Sequence, residues 1–292
     1  MIKTYIQFTK FGIVIFVLLS GLAGYALGYQ SEVPFDWFHL LKTMAGLYFL
    51  SSGSLALNQA QEWKLDQKMK RTATRPVASG KIKPLTAYIM AACFLLLGVD
   101  FLMRASGLAA FFGILTVILY NGIYTYYLKP KWIYAAVPGA VPGSLPVTIG
   151  YAAINPNVFS SDSIYLFLIL FLWQMPHFWA LAIKFKDDYS DGGVPTLPVA
   201  LGLEKTFFQM GMYTFCYVGT AIASPFFVTA SWFYLLLVVP MSVKVLIDYY
   251  RFKKDRGQKR WLSYFMWINL SVLVYLFVPA IDKWNFIFTN TN

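Results

Sequence analysis

Hydrophobic positions in this chain fall into long unbroken runs, and the polar positions between them are short and clustered. An α-helix needs about 20 apolar residues to cross a hydrocarbon core about 30 Å thick. Runs of that size recur nine times, at 11–29, 36–57, 85–103, 107–128, 133–153, 162–183, 206–228, 230–250 and 261–281. The thinnest break, at Ala230 and Ser231, separates the seventh run from the eighth. The first run is too long for a signal-peptide core and lacks a small-residue cleavage site, so it reads as a retained helix. The expected fold class is an all-α integral membrane protein, a bundle of about nine transmembrane helices forming one domain over 1–292. Acidic loops after spans two and six suggest two pseudo-repeat halves, about 1–130 and 131–250, plus a last helix at about 261–281.

Charge tests that count. Of 24 Lys and Arg, 20 lie in segments 1–10, 58–84, 129–131, 184–205 and 251–260. The alternate segments hold only Arg104 and Lys283, and Lys42 and Lys244 fall inside spans, where they are expected to snorkel. Loops rich in Lys and Arg stay cytoplasmic. The alternation therefore predicts a cytoplasmic N-terminus and a C-terminus on the opposite side. The +11 net charge then reports orientation in a bilayer, not nucleic-acid binding.

Composition agrees and excludes other classes. The chain is 58% hydrophobic and 13% charged, against about 45–50% and about 25% in soluble domains. A soluble enzyme, a disordered chain and a disulfide scaffold are excluded. Cys93 and Cys216 lie in apolar runs and are too few for a zinc cluster.

Six of the 13 acids sit in two of the basic loops. In the first, Asn58, Glu62 and Asp66 are spaced four apart. On a helix continuing out of span two they share one face. Lys68, Arg71 and Arg75 follow. Carboxylates with an amide oxygen suit Mg²⁺, which takes one or two carboxylates plus substrate phosphates, and guanidinium groups suit phosphate oxygens. The run describes a site for a metal-bound diphosphate; the plainer reading is a basic loop on anionic lipid headgroups. In the second loop, Pro176 interrupts span six and places His177 within the membrane, followed by Lys184, Asp187, Asp188 and Asp191. An intramembrane His is a functional candidate; the alternative is a neutral ring bonded to a neighbouring helix. If the loops face each other, five carboxylates converge and need a shared cation between them.

These motifs resemble those of the UbiA-type intramembrane prenyltransferases, and among them the members that alkylate haem. The first signature is Asn58, Glu62 and Asp66 followed by Met69, Arg71, Thr72, Arg75 and Pro76; the second is Trp173 to Phe178, then Asp188 and Tyr189, then Pro195 to Pro198. Tyr124, Thr125, Leu128 and Lys129 resemble the family's end of span four, and Gly143, Pro146 and Gly150 its Gly/Pro-rich span five. The resemblance covers about residues 5 to 280. Departures are Glu62 for a usual Asp, Lys64 for a further acid, Phe11 for a Pro, Pro130 and Lys131 for an Arg-His pair, and Val147 for a Pro.

The resemblance implies Mg²⁺-dependent transfer of a farnesyl group from farnesyl diphosphate to a vinyl group of haem B. Glu62 and Asp66 are the expected metal ligands, with Asn58 as a neutral ligand or orienter. Asp188, supported by Asp187 or Asp191, would hold a second ion or share the first. Lys68, Arg71, Arg75, Lys129 and Lys184 would bind the diphosphate. His177 and Trp173 are assigned to the acceptor. Tyr120, Tyr124 and Tyr127 are candidate partners for an allylic cation; ordinary packing and an interfacial aromatic belt are the other reading. The segment 251–260 would meet haem propionates, or is simply a solvated positive loop. The implied setting is the inner membrane with a cytoplasmic site, and the implied protein partners are terminal-oxidase assembly factors. Two other functions remain open: a UbiA-type enzyme acting on a quinone precursor or another aromatic or alcohol acceptor, and a transporter. The span interiors are nearly free of charge, which disfavours a transport path.

Overall fold

A computed structural model describes residues 2–30, 34–228 and 232–290. The break expected at Ala230 and Ser231 lies outside the described residues. The elements in order are α1 (Ile2–Phe8), α2 (Phe11–Gly28), α3 (Trp37–Asp66), α4 (Pro84–Ala105), α5 (Gly107–Val117) running on as a π-helix (Ile118–Leu128), α6 (Ala136–Ile154), α7 (Ser161–Lys184), α8 (Lys186–Asp191), α9 (Leu197–Ala200), α10 (Gly202–Ile222), α11 (Trp232–Lys254) and α12 (Trp261–Asn290). The fold is that of an all-α membrane protein. Among the described residues seven helices are long and apolar enough to cross a bilayer: α2, α3, α4, α5 with its π continuation, α6, α7 and α12. The expected seventh and eighth spans, α10 and α11, are 21 and 23 residues long and are not among those seven. α11 carries Lys244 and Asp248, which pair with each other one turn apart. Lys244, whose side chain is 32% exposed, also lies over the Trp267 ring at 4.8 Å.

Local sequence starts the helices. Asp36 caps α3 by accepting from Phe38 N and His39 N at 2.8 and 3.1 Å. Pro84 sits in the first turn of α4, where its missing N–H costs nothing. Small residues then let backbones meet. A Cβ on Gly150 of α6 would lie 1.9 Å from the Gly21 carbonyl oxygen of α2, and one on Gly24 would lie 2.0 Å from the Val147 carbonyl oxygen. This seam fixes α2 against α6.

The two ends of the bundle differ chemically. At one end Tyr25 Oη and the Ala105 carbonyl lie 3.0 Å from His39 Nδ1 and Nε2. Ser106 donates to Ala152 O at 3.0 Å, and Lys283 donates to Leu27 O. Asp100 and Arg104 form a one-turn pair at 2.8 Å. At the other end lie the chain segments that hold nearly all the cations.

Candidate active site

α3 does not stop at residue 57. It runs to Asp66, 30 residues in all, or roughly 45 Å at 1.5 Å per residue. Its last turns carry Asn58, Glu62 and Asp66 on one face, each at most 6% exposed. Each meets a cation from a different part of the chain. Lys10 Nζ donates to Asn58 Oδ1 at 2.8 Å. Lys129 Nζ donates to both Glu62 oxygens at 2.6 and 2.7 Å. Arg75 Nη1 donates to both Asp66 oxygens at 2.8 and 2.9 Å. The loop after α3 folds back to make the third pair: Thr72 donates to Asp66 O at 2.9 Å and Gln67 to Ala78 O at 2.9 Å.

Lys10 is placed by the short helix before it. Gln59 Nε2 donates to Gln7 O and Phe8 O at 2.7 and 2.9 Å, and Lys10 itself takes φ 51° before α2 begins. Burial, followed by the neighbouring Arg75 and Lys129 charges, brings its pKa down to about 7; the Glu62 and Asp66 charges oppose this.

The two loops meet as the sequence suggested, but not through a gathering of acids. Arg71 N donates to Asp188 Oδ2 at 3.2 Å, and the Arg71 guanidinium lies 4.9 Å over Phe185 and 5.8 Å over Tyr189. Met69 of the first loop packs with Ala182, Tyr189 and Val194 of the second. Asp187 and Asp191 are exposed and Asp188 half-buried. Among the described residues no three His, Cys, Asp or Glu side chains gather as a metal cluster. The expected convergence of five carboxylates is corrected on physical grounds: like charges repel, so Glu62 and Asp66 take Lys129 and Arg75 as partners instead of one another.

These groups form the mouth of one cavity of about 580 Å³. Lys10, Asn58, Glu62, Asp66, Arg71, Arg75 and Lys129 line it, as do Tyr120, Tyr124, Trp173 and His177. Apolar side chains of α2, α3 and α6, among them Val17, Leu50 and Ile149, line its depth. Lys68 and Lys184 are exposed outside it, and Lys184 lies over Trp261 at 5.5 Å. Tyr127 is 65% exposed and does not join Tyr120 and Tyr124, whose rings stack at 5.8 Å. An α-helical spacing of seven misplaces it because this segment is π-helical.

One wall belongs to a column of rings from three helices. Phe16, Trp173, His177, Phe265 and Trp261 follow one another with centroids 4.8, 4.6, 4.9 and 4.8 Å apart; the first four line the cavity and Trp261 continues the column beyond it. Trp173 Nε1 donates to Ile268 O at 3.0 Å and Trp261 Nε1 to Ala180 O at 2.8 Å, which ties α7 to α12. His177 Nδ1 is buried with no hydrogen-bond partner in the structure. Sequence reasoning missed Lys10, Phe16 and Phe265 as site residues. Lys10 had one signal, a lone cation opening the first apolar run; the two phenylalanines had none.

The donors fit Mg²⁺. Two buried carboxylates and an amide oxygen line one helix face beside cations, and Mg²⁺ takes one or two carboxylates and completes its shell with substrate phosphates and water.

A polytopic helical bundle with a charged mouth over an apolar, ring-walled cavity is suited to an amphiphile that carries an anionic head. Residues 17–270 match the UbiA prenyltransferase family. The protoheme IX farnesyltransferase of Bdellovibrio bacteriovorus is 59% identical over 292 residues, the whole of both chains. A solved digeranylgeranylglyceryl phosphate synthase shares the fold with a TM-score of 0.76 at 19% identity, over 96% of this chain and 98% of that one. So does an Archaeoglobus fulgidus UbiA homologue bound to GPP and Mg²⁺, with a TM-score of 0.68 at 14% identity over 95% and 99%. The chain belongs to the UbiA prenyltransferase family. It is a membrane-embedded prenyltransferase.

Proposed function

We propose that this chain transfers the farnesyl group of farnesyl diphosphate to a vinyl group of haem B, giving haem O and diphosphate. The observation that carries the reading is the single cavity that joins three buried polar-to-cation pairs at its mouth to a four-ring wall. The name of the Bdellovibrio bacteriovorus relative supports farnesyl transfer and a haem acceptor. The GPP and Mg²⁺ of the Archaeoglobus fulgidus homologue support a metal-bound diphosphate donor.

The site is matched to its donor group by group. Glu62 and Asp66 are the metal ligands, with Asn58 as a neutral ligand or orienter and Asp188 at the rim. Mg²⁺, when bound, neutralises charge that grows on the diphosphate oxygens as the allylic C–O bond breaks. Lys10, Arg71, Arg75 and Lys129 hold the remaining oxygens by charge-assisted hydrogen bonds. The farnesyl tail lies in the apolar depth. Tyr120 and Tyr124 present ring faces to the allylic cation. The Phe16–Trp173–His177–Phe265 wall takes the flat macrocycle. The vinyl carbon attacks the allylic carbon, water adds to the resulting cation, and one proton leaves. The mouth faces the cytoplasm across the inner membrane.

The test is membranes bearing the chain, supplied with farnesyl diphosphate, Mg²⁺ and haem B, with products read by mass spectrometry. The hydroxyethylfarnesyl haem is expected, and its formation stops with EDTA. Prenylation of a phenolic acid instead of haem overturns the acceptor assignment.

A further inference from the structure

We infer that Asn121 is a positioning residue, which holds the fourth span in an i→i+5 register and so delivers Lys129 and the tyrosines to the cavity. From Ile118 to Leu128 the backbone is a π-helix, and Lys129 N donates to Tyr124 O at 2.9 Å, five residues back. Such wide turns are rare, are mostly single turns, and occur at functional sites. Here the register decides which residues share a face. Tyr120 and Lys129 are nine positions apart and line the same cavity. In an α-helix nine residues make two and a half turns, which puts them on opposite faces. In an i→i+5 register two turns take about nine residues, and the two coincide.

A wide register needs support from outside the helix, and α3 provides it. Asn121 is 3% exposed. Its Nδ2 donates to Ser54 O at 2.9 Å and to Gln61 Oε1 at 3.2 Å, and its Oδ1 accepts from Ser54 Oγ at 2.6 Å. Gln61 Nε2 donates in turn to the Asn121 carbonyl at 3.1 Å. One turn on, Asn58 Nδ2 donates to Thr125 Oγ1 at 3.3 Å, and that hydroxyl donates to Tyr120 O, five residues back, at 2.9 Å. A further turn on, Lys129 meets Glu62. Ser54–Asn121, Asn58–Thr125 and Glu62–Lys129 are three rungs at four-residue spacing on both helices. The first rung sets the register in which the third can form.

The test has a thermal and a kinetic arm, both on the full chain in detergent. Lys129→Met lowers the melting temperature by leaving Glu62 buried without its partner. In the Asn121→Leu background the same change is expected to add little, because the rung is already lost. Additive shifts overturn the inference. In the kinetic arm, which rests on the donor reading proposed above, Asn121→Leu lowers kcat by roughly tenfold to a hundredfold, the range for displaced catalytic geometry. It also raises the fraction of donor lost to water as prenyl alcohol. Tyr165→Phe, which removes a hydroxyl buried between Tyr234 and the Tyr275 carbonyl, is the control for loss of a buried hydrogen bond; it leaves that fraction unchanged. A wild-type kcat and alcohol fraction in Asn121→Leu overturn the inference. A wild-type chain that releases no diphosphate from farnesyl diphosphate refutes the donor reading instead, and the thermal arm still decides the role of Asn121.

Discussion

Glu62 and Asp66 do the same electrostatic work but have different partners. Each buried carboxylate is neutralised by one cation, and in the proposed reading a diphosphate with its metal would replace that pairing on both sides. Glu62→Gln and Asp66→Asn keep the shape and remove the charge. Each is expected to lower prenyl transfer by about 100-fold or more, the scale for losing one preorganised electrostatic contact. Product formation measured across a Mg²⁺ titration checks this; full turnover by either variant removes the metal assignment. Lys10→Met tests a different quantity. It removes one charge-assisted hydrogen bond, about 1.5–3 kcal/mol, so the KM for the donor should rise roughly tenfold to a hundredfold with a smaller change in kcat. The row Asn58, Glu62, Asp66 was legible in the sequence because four-residue spacing on one helix is a local property. Lys10 was not, because the fold alone brings it to Asn58 from 48 positions away. Asp187 and Asp191 were named for their charge, and their exposure depends on packing of α8 that charge does not encode.

At the scale of elements, the apolar runs located the long helices because length and hydropathy are what a bilayer selects. The four-residue spacing of Asn58, Glu62 and Asp66 carried the second of them on to Asp66, but nothing in the runs revealed the π segment. It depends on contacts with Ser54 and Gln61 that lie on another helix. The seam between α2 and α6 is a further element-level constraint, since α2 carries Lys10 at its start. Gly150→Ala would put a Cβ 1.9 Å from the Gly21 carbonyl oxygen. Overpacking of that kind costs about 1–3 kcal/mol, so a fall of several degrees in melting temperature is expected, together with weaker donor binding as α2 shifts. Gly219→Ala in α10, where nothing lies within 4 Å of the added carbon, should leave the melting temperature unchanged or slightly higher. Thermal scanning of the two variants in detergent compares them directly.

The whole molecule is organised by which end each segment reaches. Alternation of the basic segments predicted that residues 1–10, 58–84 and 129–131 share one side, and their members Lys10, Arg71, Arg75 and Lys129 do line one cavity. The segments between them meet elsewhere: His39 with Ala105, Ser106 with Ala152, Lys283 with Leu27. The grouping follows from the fold, whereas its direction across the bilayer rests on the positive-inside rule. Single cysteines settle the direction. In a chain freed of Cys93 and Cys216, Ser79→Cys and Asn157→Cys would each offer a thiol at an exposed position, one on the side of the basic cavity mouth and one opposite. A membrane-impermeant maleimide applied outside intact cells, with the outer membrane permeabilised where one is present, should label position 157 and spare position 79 until the inner membrane is opened. The reverse pattern would turn the cavity mouth outward, away from the cytoplasm where its diphosphate donor is proposed to bind. Labelling of both from outside would break the alternation itself, because it would require an even number of crossings among α4, α5 with its π continuation, and α6, which separate the two positions.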